Sequence, residues 1–152
     1  MRLTVMTDYA MRLLMYVARQ PDRLCTIPEV AEAHGISEAH LRKITHRLGQ
    51  LGVLHTVRGV GGGIRLGQPA ERINIGAVIR EMESDWSLVD CHVSADNRCV
   101  LSGRCALAGV LDGALASFLH HLDQYTLADV ASPTAARPPV LLSRRHRVGD
   151  AR

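Results

Sequence analysis

The segment from Asp90 to Cys105 reads DCHVSADNRCVLSGRC and places Cys91, Cys99 and Cys105 within fifteen residues at C-x7-C-x5-C spacing. Thiolates are soft ligands and reactive nucleophiles, so three of them on one polar stretch point to metal or redox chemistry. Zinc normally brings paired C-x2-C knuckles, which are absent here. A disulfide would use two thiols and leave the third reactive. An iron–sulfur cluster accepts irregular thiolate spacing and a non-cysteine ligand. Iron–sulfur, redox-thiol and zinc readings all remain open on these residues, with Asp90, His92 and Asp96 as local candidates for a fourth ligand. Cys25 stands apart, in a short connection, and reads as a partly buried small hydrophobe.

The rest of the chain must position these groups. Its 152 residues fit one compact domain, or a small domain with an oligomerisation element. Apolar residues make up 47% but aromatics only 3%, so the core is expected to be aliphatic. No apolar run is long enough for a transmembrane helix, and the N-terminus lacks the apolar core of a signal peptide. A cytoplasmic protein is the expectation, a setting in which clustered cysteines bind metal or act in redox chemistry more often than they form disulfides.

Charge is unevenly spread. Residues 1–72 carry ten Lys/Arg against six Asp/Glu, a net +4; residues 73–130 carry three against eight, a net −5; residues 131–152 carry five against one, a net +4. This balance points the first part toward a polyanion. Residues 1–72 are read as a DNA-binding domain, 73–130 as a cysteine loop with a dimerisation helix, and 131–152 as a disordered basic tail adding non-specific DNA affinity.

Periodicity supplies the elements. Met6, Ala10, Leu13, Leu14 and Val17 form one stripe of a first helix over residues 3–19. Thr26 caps a short second helix with Pro28 in its first turn, and Gly35 ends it. Ser37 caps a third helix with Leu41, Ile44, Leu48 and Leu51 inward and Ala39, Arg42, Lys43, His46 and Gln50 outward. Two short helices around Gly35 make a helix-turn-helix. Two strand-like runs, 53–58 and 64–66, then flank GVGGG, so that Gly61, Gly62 and Gly63 form a bare tip flanked by Arg58 and Arg65. Such a wing suits a phosphate backbone or a narrow minor groove. A fourth helix over Ile73–Met82 is capped by Asn74. A long fifth helix is expected from about Cys105 to Asp129, with Leu107, Leu111, Ala114, Leu115, Phe118, Leu122 and Tyr125 on one apolar face awaiting a second copy of the chain. The fold class is mainly α, a winged helix-turn-helix with a C-terminal dimerisation helix. No serine–histidine–acid pattern, metal-hydrolase motif or phosphate-binding lysine is present, so no enzyme is expected.

The runs TDYAMRLLMYVA, GISEAHLRKITHRL, VRGVGGGIRLG and YTLADV, together with the three cysteines, resemble the Rrf2 family of winged-helix regulators over residues 1–130. Within it the resemblance is to nitric-oxide-sensing repressors. It implies a homodimer on a two-fold symmetric double-stranded DNA operator and an iron–sulfur cluster, 4Fe–4S in preference to 2Fe–2S. It further implies that Asp8 of the other subunit joins Cys91, Cys99 and Cys105 as a ligand. The family's iron–sulfur-status regulators instead carry a histidine three residues after the last cysteine; here that residue is Ala108. Such a regulator and a cluster-free thiol regulator are the alternatives. DNA contacts are expected from Thr26, Ser37, Ala39, His40, Arg42, Lys43, His46, Arg58, Gly61, Gly62 and Arg65.

Overall fold

Helix α1 (Val5–Ala18) begins where Thr4 accepts a hydrogen bond from Thr7 N, and it buries Thr7, Ala10, Leu13, Leu14 and Val17. Thr7 takes the inward place expected of Met6, which is only partly buried. Its hydroxyl lies 3.0 Å from Thr4 Oγ1, so the polar atom enters the core already hydrogen-bonded. The computed structural model describes residues 2–89, 99, 101 and 105–132.

Helix α2 (Ile27–His34) opens on a capping box. Thr26 Oγ1 accepts from Glu29 N, and the Glu29 carboxylate reaches back to Thr26 N. Gly35 closes it at φ 63°, in the left-handed region where glycine has no Cβ penalty. The chain then enters α3 (Glu38–Gln50) through Ser37, whose side chain accepts from His40 N. Leu41, Ile44 and Leu48 are fully buried, as their spacing predicts, while Leu51 falls on the C-cap and is only half-buried.

Strands β1 (Leu54–Val57) and β2 (Gly63–Leu66) pair antiparallel, with Leu54 opposite Leu66 and His55 opposite Arg65. The pair is one residue shorter at each end of the first run than the sequence suggested, and a third segment joins it. Cys25 N donates to Ile64 O at 2.9 Å, and Ile64 N donates to Cys25 O at 2.7 Å. This contact explains why Cys25 is completely buried and not merely part-buried. It also fixes Gly63, where a Cβ would lie 2.5 Å from Cys25 O. Burial pushes the Cys25 thiol above its ordinary pKa, so it stays protonated and inert.

A single 3-10 turn (Ala70–Arg72) leads to α4 (Ile75–Met82), capped by Asn74 Oδ1. Helix α5 (Ala106–Asp123) follows. The expected helix to Asp129 is divided. Residues 124–126 leave the helix and α6 (Leu127–Ala131) begins afresh. Two causes act together. Thr126 is an N-cap whose N–H and hydroxyl both donate to the Asp129 carboxylate, at 2.7 and 2.8 Å. Tyr125 and Leu127 meanwhile pair with the chain before α4, through Ile75 N to Tyr125 O at 3.0 Å and Leu127 N to Ile73 O at 2.8 Å. The break returns α6 to α1, where Leu127 is fully buried and Arg19 Nε donates to Ala131 O at 2.7 Å. One aliphatic core thus joins α1–α4, the wing and α6.

Candidate nucleic-acid interface and metal centre

The outer surface of α3 is built by its own periodicity. With Leu41, Ile44 and Leu48 sunk in the core, Ala39, His40, Arg42, Lys43 and His46 are all exposed, as their positions predicted. Arg42 is tethered one turn back, its Nη2 2.6 Å from Glu38 Oε2. His40 Nδ1 lies 2.9 Å from Ser37 Oγ, joining the base of α3 to its own cap. Thr26 and Ser37 both spend their hydroxyls on capping and stand exposed at the two helix N-termini.

The wing adds a second basic element. Arg58 and Arg65 are exposed, Gly61 is exposed and Gly62 half-buried. Gly61 has φ 76°, which turns the tip back on itself. Val60 projects completely into solvent beside it. Among the described residues Lys43, Arg58 and Arg65 have no ion-pair partner, so their charge is available to phosphate.

Cys105 is the N-cap of α5 and half-buried, and Cys99 is exposed. Cys91, Asp90, His92 and Asp96 lie outside the described residues. Among the described residues no three His, Cys, Asp or Glu side chains converge as a metal site within one chain. Asp8 sits in the first turn of α1 with its side chain about half exposed. Arg12 holds its carboxylate by Nη2 at 2.8 Å and Nε at 3.2 Å. The donor chemistry fits an iron–sulfur group: two thiols that are not buried and a half-exposed carboxylate.

Three residues here were not read from the sequence. Arg12 lies four residues after Asp8, a legible helical spacing. The guanidinium carbon of Arg12 lies 6.0 Å from the Tyr9 ring centroid, and Tyr9 in turn lies 6.0 Å from the His40 ring. Arg47 turns onto the end of α4, donating from Nε to Glu81 O at 3.0 Å. The last two contacts join residues more than thirty positions apart, which no local pattern discloses.

Recognition helix, positive turn and glycine-tipped hairpin define the winged helix-turn-helix class. Within that class the chain belongs to the Rrf2 family of iron-dependent transcriptional regulators, whose pattern it matches over residues 3–133. It is 48% identical over 131 residues to the HTH-type transcriptional regulator NsrR of Bacillus subtilis, covering 86% of this chain and 90% of that one. It is 44% identical over 146 residues to NsrR of Geobacillus kaustophilus, covering 95% and 99%. Its fold also resembles the oxidised form of Staphylococcus aureus CymR, with TM-score 0.71 at 23% identity over 87% of this chain and 97% of that one. IscR of T. potens gives TM-score 0.69 at 22% identity over 86% and 85%. The chain is therefore a transcriptional regulator and not an enzyme. Among the described residues no helix is long and apolar enough to cross a membrane.

Proposed function

We propose that this chain is a homodimeric repressor that binds a two-fold symmetric operator and releases it on exposure to nitric oxide, through an iron–sulfur cluster. Cys91, Cys99 and Cys105 hold the cluster from one subunit and Asp8 from the other. One observation carries the reading. Asp8, the weakest donor in the set, stands on α1 in contact with Arg12, Arg12 lies against Tyr9, and the Tyr9 ring meets His40 at the base of the recognition helix. A ligand that is readily displaced is thus wired to the element that reads DNA.

When bound, the cluster would supply iron able to take nitric oxide as a ligand. The chain's own residues do the rest. Carboxylate is a harder and weaker iron ligand than thiolate, so Asp8 would be the most readily displaced of the residues holding the cluster. Its charge is paired with Arg12, and Arg12 bears on the Tyr9 ring. Each α3 enters a major groove, with half-sites about 34 Å apart or a multiple of it. Arg42 and Lys43 approach bases or phosphates, with Ala39, His40 and His46 on the same surface; Thr26 and Ser37 offer helix N-termini to phosphates. Arg58 and Arg65 hold the backbone beside the wing, whose Gly61 and Gly62 allow close approach. A change of about 1–3 kcal/mol in coupling alters affinity about 5- to 150-fold, enough for a switch.

The deciding experiment is anaerobic purification followed by nitric oxide titration, with visible absorbance, iron and sulfide content, and binding to an operator fragment followed together. A brown protein that loses both its absorbance and its DNA affinity is expected. A colourless chain that responds to oxidants would instead assign the cysteines to thiol chemistry. An intact cluster with unchanged DNA affinity in excess nitric oxide would overturn the sensor.

A further inference from the structure

The last turn of α4 is gripped from two sides. Arg47, in the last turn of α3, turns its guanidinium onto the Glu81 carbonyl, with Nε donating at 3.0 Å and Nη2 donating to the same oxygen. That oxygen is among the final carbonyls of α4, which have no partner inside the helix and carry its partial negative charge. Two residues on, Glu83 takes the other side. Its Oε1 accepts from Thr4 N at 2.7 Å and from Thr4 Oγ1 at 3.2 Å, and Thr4 is the N-cap of α1. Glu83 is 9% exposed, so its carboxylate faces the positive end of α1 with little water to screen it.

Neither contact is needed to seat its helix. Leu41, Ile44 and Leu48 already anchor α3, and Thr4 caps α1 through Thr7 N without help from Glu83. Both contacts nevertheless converge on Glu81–Glu83, the last residues before the chain runs toward Cys91. Trp86, the chain's one tryptophan, is partly buried against the core three residues further on. It shares a cavity of about 190 Å³ with Arg2, Leu3 and Glu83. The end of α4 is therefore the place where the recognition helix, the Asp8-bearing helix and the root of the cysteine segment meet in one subunit.

We infer that Arg47 and Glu83 are positioning residues that carry the state of the cysteine segment to α3 and α1 within a subunit, beside the route through Asp8 of the partner. This rests on the sensor reading of that segment. Displacing the segment draws on Glu81–Glu83. Arg47 then loses its carbonyl and the N-terminus of α1 loses its carboxylate, so α3 and α1 are released together.

The test uses the full chain as purified, wild type and the variants Arg47→Met, Glu83→Gln and Thr4→Val, with amide hydrogen exchange and Trp86 fluorescence. Arg47→Met, which alters only α3, is expected to speed exchange at Thr4–Asp8 and to shift Trp86 emission. Glu83→Gln is expected to speed exchange in the last turn of α3, and Thr4→Val to act in the same direction more weakly. Changes confined to the altered helix in each variant would overturn the relay. A second arm measures affinity for a fragment selected by the chain itself from random double-stranded DNA, with and without cluster. The ratio of the two is expected to fall at least about threefold in Arg47→Met and Glu83→Gln, the size of a modest coupling. An unchanged ratio in variants that hold a cluster also overturns the relay. Failure of the wild type to hold any cluster sinks the sensor reading instead and leaves the exchange result to decide the relay.

Discussion

The ring of Tyr9 lies 6.0 Å from that of His40 at an interplanar angle of 59°, which places the second turn of α1 against the first turn of α3. Tyr9 also carries the Arg12 guanidinium, 6.0 Å from its ring centroid, and Arg12 holds Asp8. Aromatic pairs of this kind contribute about 0.5–1.5 kcal/mol beyond area burial. Tyr9→Ala is accordingly expected to weaken operator binding about 2- to 10-fold by tilting the base of α3. Tyr9→Phe keeps the ring and is expected to bind as wild type. Fluorescence anisotropy on one operator fragment compares them, and equal loss in both variants would assign the role to the hydroxyl instead.

Ligation across subunits makes a sharper demand on Asp8. A heterodimer is assembled from one Asp8→Ala chain and one chain with Cys91, Cys99 and Cys105 all changed to serine. If Asp8 serves the partner's cysteines, the first chain's thiols meet the second chain's carboxylate and one complete site results. Iron content and absorbance near half the wild-type value, with wild-type resistance to iron chelators, are then expected. Ligation within a subunit leaves no complete site, and the heterodimer would lose iron as readily as the Asp8→Ala homodimer.

The wing separates charge from architecture. Arg58 is exposed at the hairpin's edge, so Arg58→Ala is expected to lower affinity for all DNA sequences alike and to reduce the salt slope by about 1, with thermal stability unchanged. Gly63 behaves oppositely. A Cβ there meets Cys25 O at 2.5 Å and Leu24 Cβ at 3.0 Å, so Gly63→Ala must push the strand off the α1–α2 connection. A loss of about 1–3 kcal/mol of stability is expected from this overpacking, measured by denaturant unfolding.

Acid should weaken the anchoring of α2. Glu29 accepts from the Tyr16 hydroxyl at 2.7 Å and from Arg23 Nη1 at 3.0 Å. Arg23 foremost, then Tyr16, hold its carboxyl down at about 2 against an ordinary 4.5. A depressed carboxyl stabilises the fold fully above its unfolded pKa and loses that contribution as pH falls through the folded one. Between about pH 4.5 and 2 the wild type is therefore expected to lose thermal stability that Glu29→Gln has lost already. Melting curves that stay parallel across that window would show that the network does not stabilise the fold.

What could be read in advance was whatever repeats locally. Thr26, Gly35 and Ser37 announced the helix-turn-helix because caps and left-handed turns have narrow residue preferences. The outward face of α3 followed from the inward one. The division of the last helix was missed, although Thr126 and Asp129 spell a cap, because the apolar steps through Leu122 and Tyr125 continue across the break. Tyr125 pairs its carbonyl with Ile75, fifty residues back, and such pairing overrides periodicity without leaving a local mark. Arg47 was hidden for the same reason: a basic residue near a helix end reads as solvated, and only the fold brings Glu81 to it.

Helix α5 makes the last demand. Eighteen residues long and about 27 Å in length, it buries none of its residues in a single chain. Its C-terminal half leans on α4, where Arg80 and Asp123 form a two-bond clamp at 2.6 Å for each pair. Its N-terminal half leaves Leu107 and Val110 exposed by 61% and 67%. An apolar surface of this kind on an uncovered helix suits an interface, and under the proposed two-fold reading its partner is a second copy of the chain. Val110→Glu sets like charges against each other across a two-fold interface while touching nothing in the core of its own chain. The variant is expected to sediment as a monomer with a wild-type circular dichroism spectrum, and to lose at least tenfold in operator affinity, since a half-site alone forgoes the second set of contacts. A dimer that survives both Val110→Glu and Leu107→Glu would place the interface elsewhere and leave this apolar face without a role in assembly.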